Sequence, residues 1–419
     1  MHDPPVRHLS GSPEAQPRHG AHFPFTRNDL RGLAQLGVDA VLGVTRVVEA
    51  MHHTIASRPR PIGPGPIGQT AGITGLVYRA IRGTTRSVGR GLDALLLTLP
   101  RNARSSAPSP DREAFVAAVN GVWGDHLART TNPLAIRMSL RVDAGRGAPD
   151  PRPPTGRLLV LVHGLAMNDL QWTRRGHDHG QALARDGGFT AIYLHYNSGL
   201  HVSHNGRAFA GLLEELVATW PVPVEDLVIV GHSMGGLVAR SACHLGAGQR
   251  WRRHLTRLVC LGTPHHGAPL ERGGRLVDAA LGISPYAAPL ARLGQTRSAG
   301  ITDLRFGNVV DADGPRGTRA RDSRVALPLP ADVQTYLVAA TTAASADGWR
   351  SATVGDGLVP LTSALGRHRD PALALGVPAR RCFVATGAHH WDLLDRADVY
   401  ARLRTWLVRR EPAVPSSRR

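Results

Sequence analysis

The second half of the chain predicts an α/β fold, a mostly parallel central sheet flanked by helices, on three observations. Short apolar, β-rich runs recur at Leu158 to Val162, Thr190 to Leu194, Leu227 to Val230, Leu258 to Leu261, Thr335 to Val338 and Cys382 to Ala385. Segments of helical periodicity separate them, and strands that alternate with helices pair in parallel. The runs are almost continuously apolar rather than alternating, which fits strands buried on both faces. With 419 residues the chain has room for one large domain of roughly 250 residues and a smaller module.

Taken in order, residues 1–25 are polar and Pro-containing and read as a disordered tail. From Leu30 the positions Leu33, Leu36, Ala40, Val41, Val44, Val48, Met51 and Ile55 keep helical spacing, with Thr26 or Asn28 as N-cap. The run Arg58 to Gly68 breaks that helix. A second helical pattern follows from Ile73 to Leu96, so a helical hairpin results. A third helix is expected over Asp111 to Leu127, completing a helical N-terminal module at 26–130. Gly145 to Thr155 is Pro- and Gly-rich and reads as the linker into the sheet domain, at 150–410. Within that domain the stretch 264–332 separates two strands. It is a candidate lid or cap, because insertions after a strand's carboxyl end overhang the crevice of an open sheet. No internal repeat is present.

Composition narrows the function classes. The formal charge is +18, and all 50 basic residues are arginine. Exclusion of lysine on that scale reads as a compositional bias of the genome, which weakens the case for sequence-specific nucleic-acid binding; the excess of Arg still favours phosphate-bearing surfaces. Cys243, Cys260 and Cys382 are odd in number and lie in apolar segments, against a disulfide framework. The first residues lack the order of a secretory signal, and no run reaches the ~20 apolar residues of a membrane span. The expectation is a cytoplasmic protein, soluble or peripherally attached to a membrane.

The chemistry concentrates at Gly231-His232-Ser233-Met234-Gly235-Gly236, between the strand Leu227 to Val230 and a helix running from about Gly236 to Leu245. A serine presented on a sharp strand-to-helix turn needs small neighbours two positions away, and Gly231 and Gly235 meet that need. The helix N-terminus offers its amides to a developing oxyanion. The earlier strand ends in Val162-His163-Gly164-Leu165, the place for a second oxyanion amide, so the backbone N–H groups of Leu165 and Met234 are assigned that role.

A serine hydroxyl needs a histidine to take its proton and a carboxylate to hold that histidine in one tautomer. Asp356 lies between glycines beyond the strand Thr335 to Val338, and His389 and His390 follow the final strand. The order Ser233, Asp356, His is thereby met. Spacing alone does not choose between the two histidines.

Several further segments carry a family resemblance: HGLAMNDLQW (His163 to Trp172), YNSGLHVSHNG (Tyr196 to Gly206), GHSMGGLVAR (Gly231 to Arg240), LGTPHHGAPLER (Leu261 to Arg272), VGDGLVP (Val354 to Pro360) and HWDLL (His390 to Leu394). From about Arg157 to Trp406 the chain resembles the bacterial lipase and esterase branch of the α/β-hydrolases, related in pattern to triacylglycerol lipases and GPI inositol deacylases. The resemblance implies an α/β-hydrolase fold and selects His390, since the histidine of such enzymes commonly stands in an H-x-D-L-L setting. It implies a serine hydrolase cleaving carboxylic, lipid-like esters through an acyl-enzyme on Ser233, with an ester or lipid as substrate and no cofactor or metal. The same triad serves acyltransferases. A lipid- or granule-surface binding protein with the hydrolase fold as scaffold is the alternative of another class.

Candidate pocket residues are His163, Trp172, His232 and His266; Trp172 reads equally as pocket wall or core. Residues 1 to 110 hold 13 Arg against 6 acids. Their amphipathic helices fit packing on a domain or a second subunit, the commoner use, or peripheral contact with an anionic membrane or lipid surface.

Overall fold

Three helices precede the sheet in the computed structural model, which describes residues 25–56, 70, 72–99, 109–142, 153–268, 298–311, 325–346 and 355–408. Helix α1 (Arg27–Ala56) starts at Thr26, whose Oγ1 accepts from the amide of Asp29 at 3.2 Å while Asp29 Oδ2 accepts from the amide of Thr26 at 2.6 Å. That reciprocal capping makes Thr26, not Asn28, the cap. Helix α2 (Gly72–Thr98) runs antiparallel to α1: Arg31 pairs with Asp93 at 2.7 Å near one end, and Arg82 with Glu49 near the other. Helix α3 (Pro110–Arg129) has Ser109 as N-cap and a proline in its first turn, where a missing N–H costs nothing.

The sheet has seven strands: β1 (Ser139–Val142), β2 (Arg157–Val162), β3 (Thr190–His195), β4 (Asp226–His232), β5 (Leu255–Leu261), β6 (Gln334–Thr341) and β7 (Cys382–Thr386). Their spatial order is β1-β3-β2-β4-β5-β6-β7. Every neighbouring pair is parallel except β1 with β3. The six apolar runs of the sequence are β2 to β7. The edge strand β1 lies outside the 150–410 stretch and escaped the reading, because three of its residues are half-buried, Val142 is exposed and it has no continuous apolar run.

Helices cover both faces. Leu158, Val160 and Val162 of β2 pack with Phe209 and Leu213 of α5 (Val202–Thr219) and Leu237 of α6 (Met234–Leu245). The intervening Leu159 and Leu161 point to the other side, against Leu183 of α4 (His179–Gly187) and Val399 and Leu403 of the helix Ala397–Leu407. The alternation is that of a strand, yet both sides are apolar. Burying one such side chain contributes about 1.5–3 kcal/mol, so β2 anchors both layers.

Helix α3 belongs to this body as much as to the N-terminal helices. Its Gly121 carbonyl accepts from Ser298 Oγ at 2.7 Å and its Gly124 carbonyl from Asn197 Nδ2 at 2.9 Å. On its other side Arg112 grips Asp29 of α1 through two bonds, at 2.6 and 2.7 Å. The expected tail apart from Phe25, the linker over Arg58 to Gly68, most of the linker over Gly145 to Thr155 and most of the 264–332 cap lie outside the described residues. Of the cap, the helix Ala299–Phe306 is described.

The strand order fixes where a site can form. From β2 the chain passes to β3 on one side, and from β4 to β5 on the other, while β2 and β4 are neighbours. Loops leaving adjacent strands in opposite directions open a crevice at their carboxyl ends. Val162 and Gly231 are paired there, so His163-Gly164-Leu165 and His232-Ser233-Met234 meet at its mouth.

Candidate active site

Ser233 stands between β4 and α6 with φ 53° and ψ −122°, a conformation that costs a non-glycine residue about 1–3 kcal/mol. The surroundings impose it. The Ser233 amide donates to the Leu261 carbonyl at 2.8 Å, and its carbonyl accepts from the Gly236 amide at 3.1 Å. The turn closes so tightly that a Cβ on Gly231 would lie 2.5 Å from the nitrogen of Gly236. One on Gly235 would lie 2.2 Å from the carbonyl oxygen of Val162.

The loop after β2 is the other wall. Gly164 passes so near the elbow that a Cβ there would stand 3.1 Å from Ser233 Cβ. Ala166 has a positive φ of 56°, and its amide donates to Ser198 Oγ at 2.9 Å. Leu165 and Met234 flank this approach and are buried, and no residue among those described accepts a hydrogen bond from either amide. His163 stacks on Tyr196, centroids 4.3 Å apart, and burial pushes its imidazole down to about 3, so it is neutral at physiological pH.

Asp356 follows Gly355, which adopts a positive φ of 56°. Its Oδ1 accepts the amides of Leu358 (3.0 Å) and Val359 (2.8 Å), leaving Oδ2 to His390 Nδ1 at 2.7 Å. Both side chains are buried. A carboxylate at Nδ1 assigns the proton to that nitrogen and leaves Nε2 with its lone pair. Nε2 is buried and without a hydrogen-bond partner among the described residues. His389 is exposed and does not reach Asp356; its amide is held by Asp392. His390 also backs onto β5, its Cε1 lying 3.0 Å from where a Cβ of Gly262 would be.

The other candidates divide. His232 packs its ring against that of His390, centroids 4.8 Å apart, and burial drives its imidazole well below the ordinary range. Trp172 is fully buried in the cluster beneath the sheet, touching His232 edge-on, which makes it core. His266 lines a cavity with Arg240, His265, Val309 and Leu327 whose described lining includes none of Ser233, Asp356 and His390.

Two supporting residues went unseen in the sequence. His179 Nε2 donates to the Leu393 carbonyl at 3.0 Å, bracing the turn that bears His390, and burial lowers its imidazole to about 4. Nothing in its local sequence marks it. Ser198, which holds the Ala166 amide, sits in the YNSG segment, and that was the available signal.

Residues 153–287 match the family model described as the PGAP1-like alpha/beta domain, a span that takes in both the Leu165 loop and the Ser233 turn. The match spans β2 to β5 and agrees with the observed order of those strands. The fold is that of the α/β-hydrolases. Among solved structures, the hydrolase fold here is similar to the mature lipase BlEst2 of Bacillus licheniformis, with 19% identity, covering 65% of this chain and 98% of that one at a TM-score of 0.39. It is similar to a thermophilic esterase of Thermogutta terrifontis at 17% identity, 64% and 92% coverage and a TM-score of 0.36. A lipase-esterase related protein of Clostridium acetobutylicum overlaps at 11% identity, 65% and 100% coverage and a TM-score of 0.35. No curated protein sequence matches the chain.

Proposed function

We propose that the protein is a serine hydrolase of carboxylic, lipid-like esters, with Ser233 as nucleophile, His390 as general base and Asp356 as its orienting carboxylate. The observation that carries this reading is the backbone of Ser233, held at positive φ at the crevice between β2 and β4 with two unengaged amides nearby. A strained conformation persists only where surroundings over-determine it, and such positions cluster at functional sites.

In the proposed reaction Ser233 Oγ attacks the ester carbonyl carbon as its proton passes to His390 Nε2. The carbonyl electrons move to oxygen, and the amides of Leu165 and Met234 receive that oxyanion. Collapse breaks the bond to the alcohol, which leaves with the proton from Nε2. Water then attacks the acyl-enzyme, its proton passing through Nε2 back to Ser233 as the acid is released. Asp356 holds Nδ1–H throughout, so Nε2 is the nitrogen that exchanges protons. The chemistry needs no metal or cofactor.

An active-site phosphonate tests the reading. Labelling of the wild type but not of Ser233→Ala, with turnover of p-nitrophenyl esters lost in that variant, supports it. A folded wild type that neither labels nor turns over such esters overturns it.

A further inference from the structure

The loop after β2 runs from His163 to Asp169, and residues at the end of β3 hold it at three points. Where the loop begins, the Tyr196 hydroxyl donates to the His163 carbonyl at 2.8 Å. At its middle, Ser198 Oγ accepts from the amide of Ala166, the residue at positive φ. Where it ends, Asp169 Oδ1 accepts from His195 Nδ1 at 2.8 Å and from the Arg141 guanidinium at 3.1 Å.

The third hold differs in kind from the other two. Tyr196 and Ser198 are neutral, whereas Asp169 is a fully buried carboxylate gripped by a cation from β1. The pairing of β1 with β3 sets Ser139 opposite His195 and Arg141 opposite Tyr193. Opposed residues share a face of the sheet, so Arg141 lies on the same face as His195. Behind Arg141 stands Glu113 of α3 at 3.6 Å, which pairs with Arg112 at 2.7 Å, and Arg112 grips Asp29 of α1. Charges of alternating sign thus run from α1 to the end of the loop. Burial opposes ionisation of Asp169, yet the His195 hydrogen bond and the Arg141 charge hold its carboxyl below the ordinary carboxylate range.

An amide reserved for an oxyanion has no bond of its own to fix it in the resting site, so its place is set by the anchors of its loop. Asn168 and Gln171 close a reciprocal turn at Asp169, with bonds of 2.9 and 3.2 Å, and the Met167 amide donates to the Gly164 carbonyl at 3.4 Å. The anchor at Asp169 is thereby carried toward Leu165. We propose that Asp169 and Arg141 are positioning residues for ester cleavage, their charged contact holding the Leu165 amide in line with Ser233. The edge strand β1 then does more than extend the sheet: it delivers Arg141. The inference rests on the hydrolase reading of Ser233.

The test compares kcat and KM on a soluble p-nitrophenyl ester with the affinity of a trifluoromethyl ketone, whose adduct with a serine carries an oxyanion as the transition state does. Asp169→Asn should lower kcat by roughly a hundredfold and Arg141→Gln by roughly tenfold, with KM changed less than about twofold. Ketone affinity should fall in proportion to kcat/KM. The double variant should be no slower than Asp169→Asn, because both changes break one contact. Should Asp169→Asn fail to fold, Arg141→Gln decides, since the Arg141 side chain is 30% exposed. Folded variants that keep wild-type kcat and ketone affinity, that raise KM alone, or whose losses multiply in the double variant overturn the proposal. A wild type that neither turns over the ester nor binds the ketone overturns the reading of Ser233 and this inference with it.

Discussion

Asp356 holds His390 at two points: Oδ2 accepts a hydrogen bond from Nδ1–H at 2.7 Å, and the Asp356 carbonyl accepts one from the His390 amide at 3.2 Å. The second bond is independent of the carboxylate. Replacing Asp356 with Asn should therefore leave the turn in place while presenting the imidazole in the wrong tautomer. Ester turnover by Asp356→Asn is expected to fall by about 10³-fold or more with KM little changed. Steady-state kinetics on a soluble ester checks this, and near-wild-type rates would remove Asp356 from its role.

Ser233 occupies a backbone region that glycine enters without penalty. Ser233→Gly should abolish turnover and raise stability by about 1 kcal/mol, a sign opposite to that of most substitutions. Denaturant unfolding beside the kinetics separates these effects.

The α3 helix supports the loop that carries the Leu165 amide. A Cβ on Gly121 would stand 2.6 Å from Ala166 Cβ. Gly121→Ala is expected to displace that loop, lowering kcat more than it raises KM and costing about 1–3 kcal/mol of stability. Equal kinetics with an unchanged melting temperature would show that the contact yields freely.

Acid should destabilise the fold through its buried histidines. His163 and His179 have imidazoles lowered by burial to about 3 and about 4, below the ordinary 6.5 of an unfolded chain. Below pH 6.5 the unfolded state takes up protons that the folded state refuses, so stability falls as pH drops from about 6.5 toward 4. The limit is about 1.4 kcal/mol per pH unit for each group. His163→Gln should flatten that slope in urea titrations between pH 6.5 and 4, and an unchanged slope would count against a neutral His163.

Much of the layout was legible because strands buried on both faces leave continuous apolar runs, as in β2, while the half-buried edge strand β7 is short but still apolar from Cys382 to Ala385. The Ser233 turn was legible because its glycines leave no alternative. What stayed hidden depended on partners remote in sequence. Nothing near β1 signals that it pairs with β3, and Asp111 to Leu127 could not show that α3 packs on the Ala166 loop as well as on α1. His179 acts on Leu393 across the whole domain, a contact no local pattern records. The choice of His390 over His389 needed a resemblance, whereas the fold separates them by burial.

The central position of β2 has a consequence for biosynthesis. It is the first of the parallel strands to leave the ribosome, yet both its edges wait for partners, β3 and then β4, made later in the chain. At about 5–20 residues per second that delay lasts several seconds, during which Leu158 to Val162 presents two bare edges of a wholly apolar segment. Such a segment is a template for pairing with other nascent chains. A chaperone that shields the emerging strand should therefore raise the soluble yield more than any change made to the finished surface.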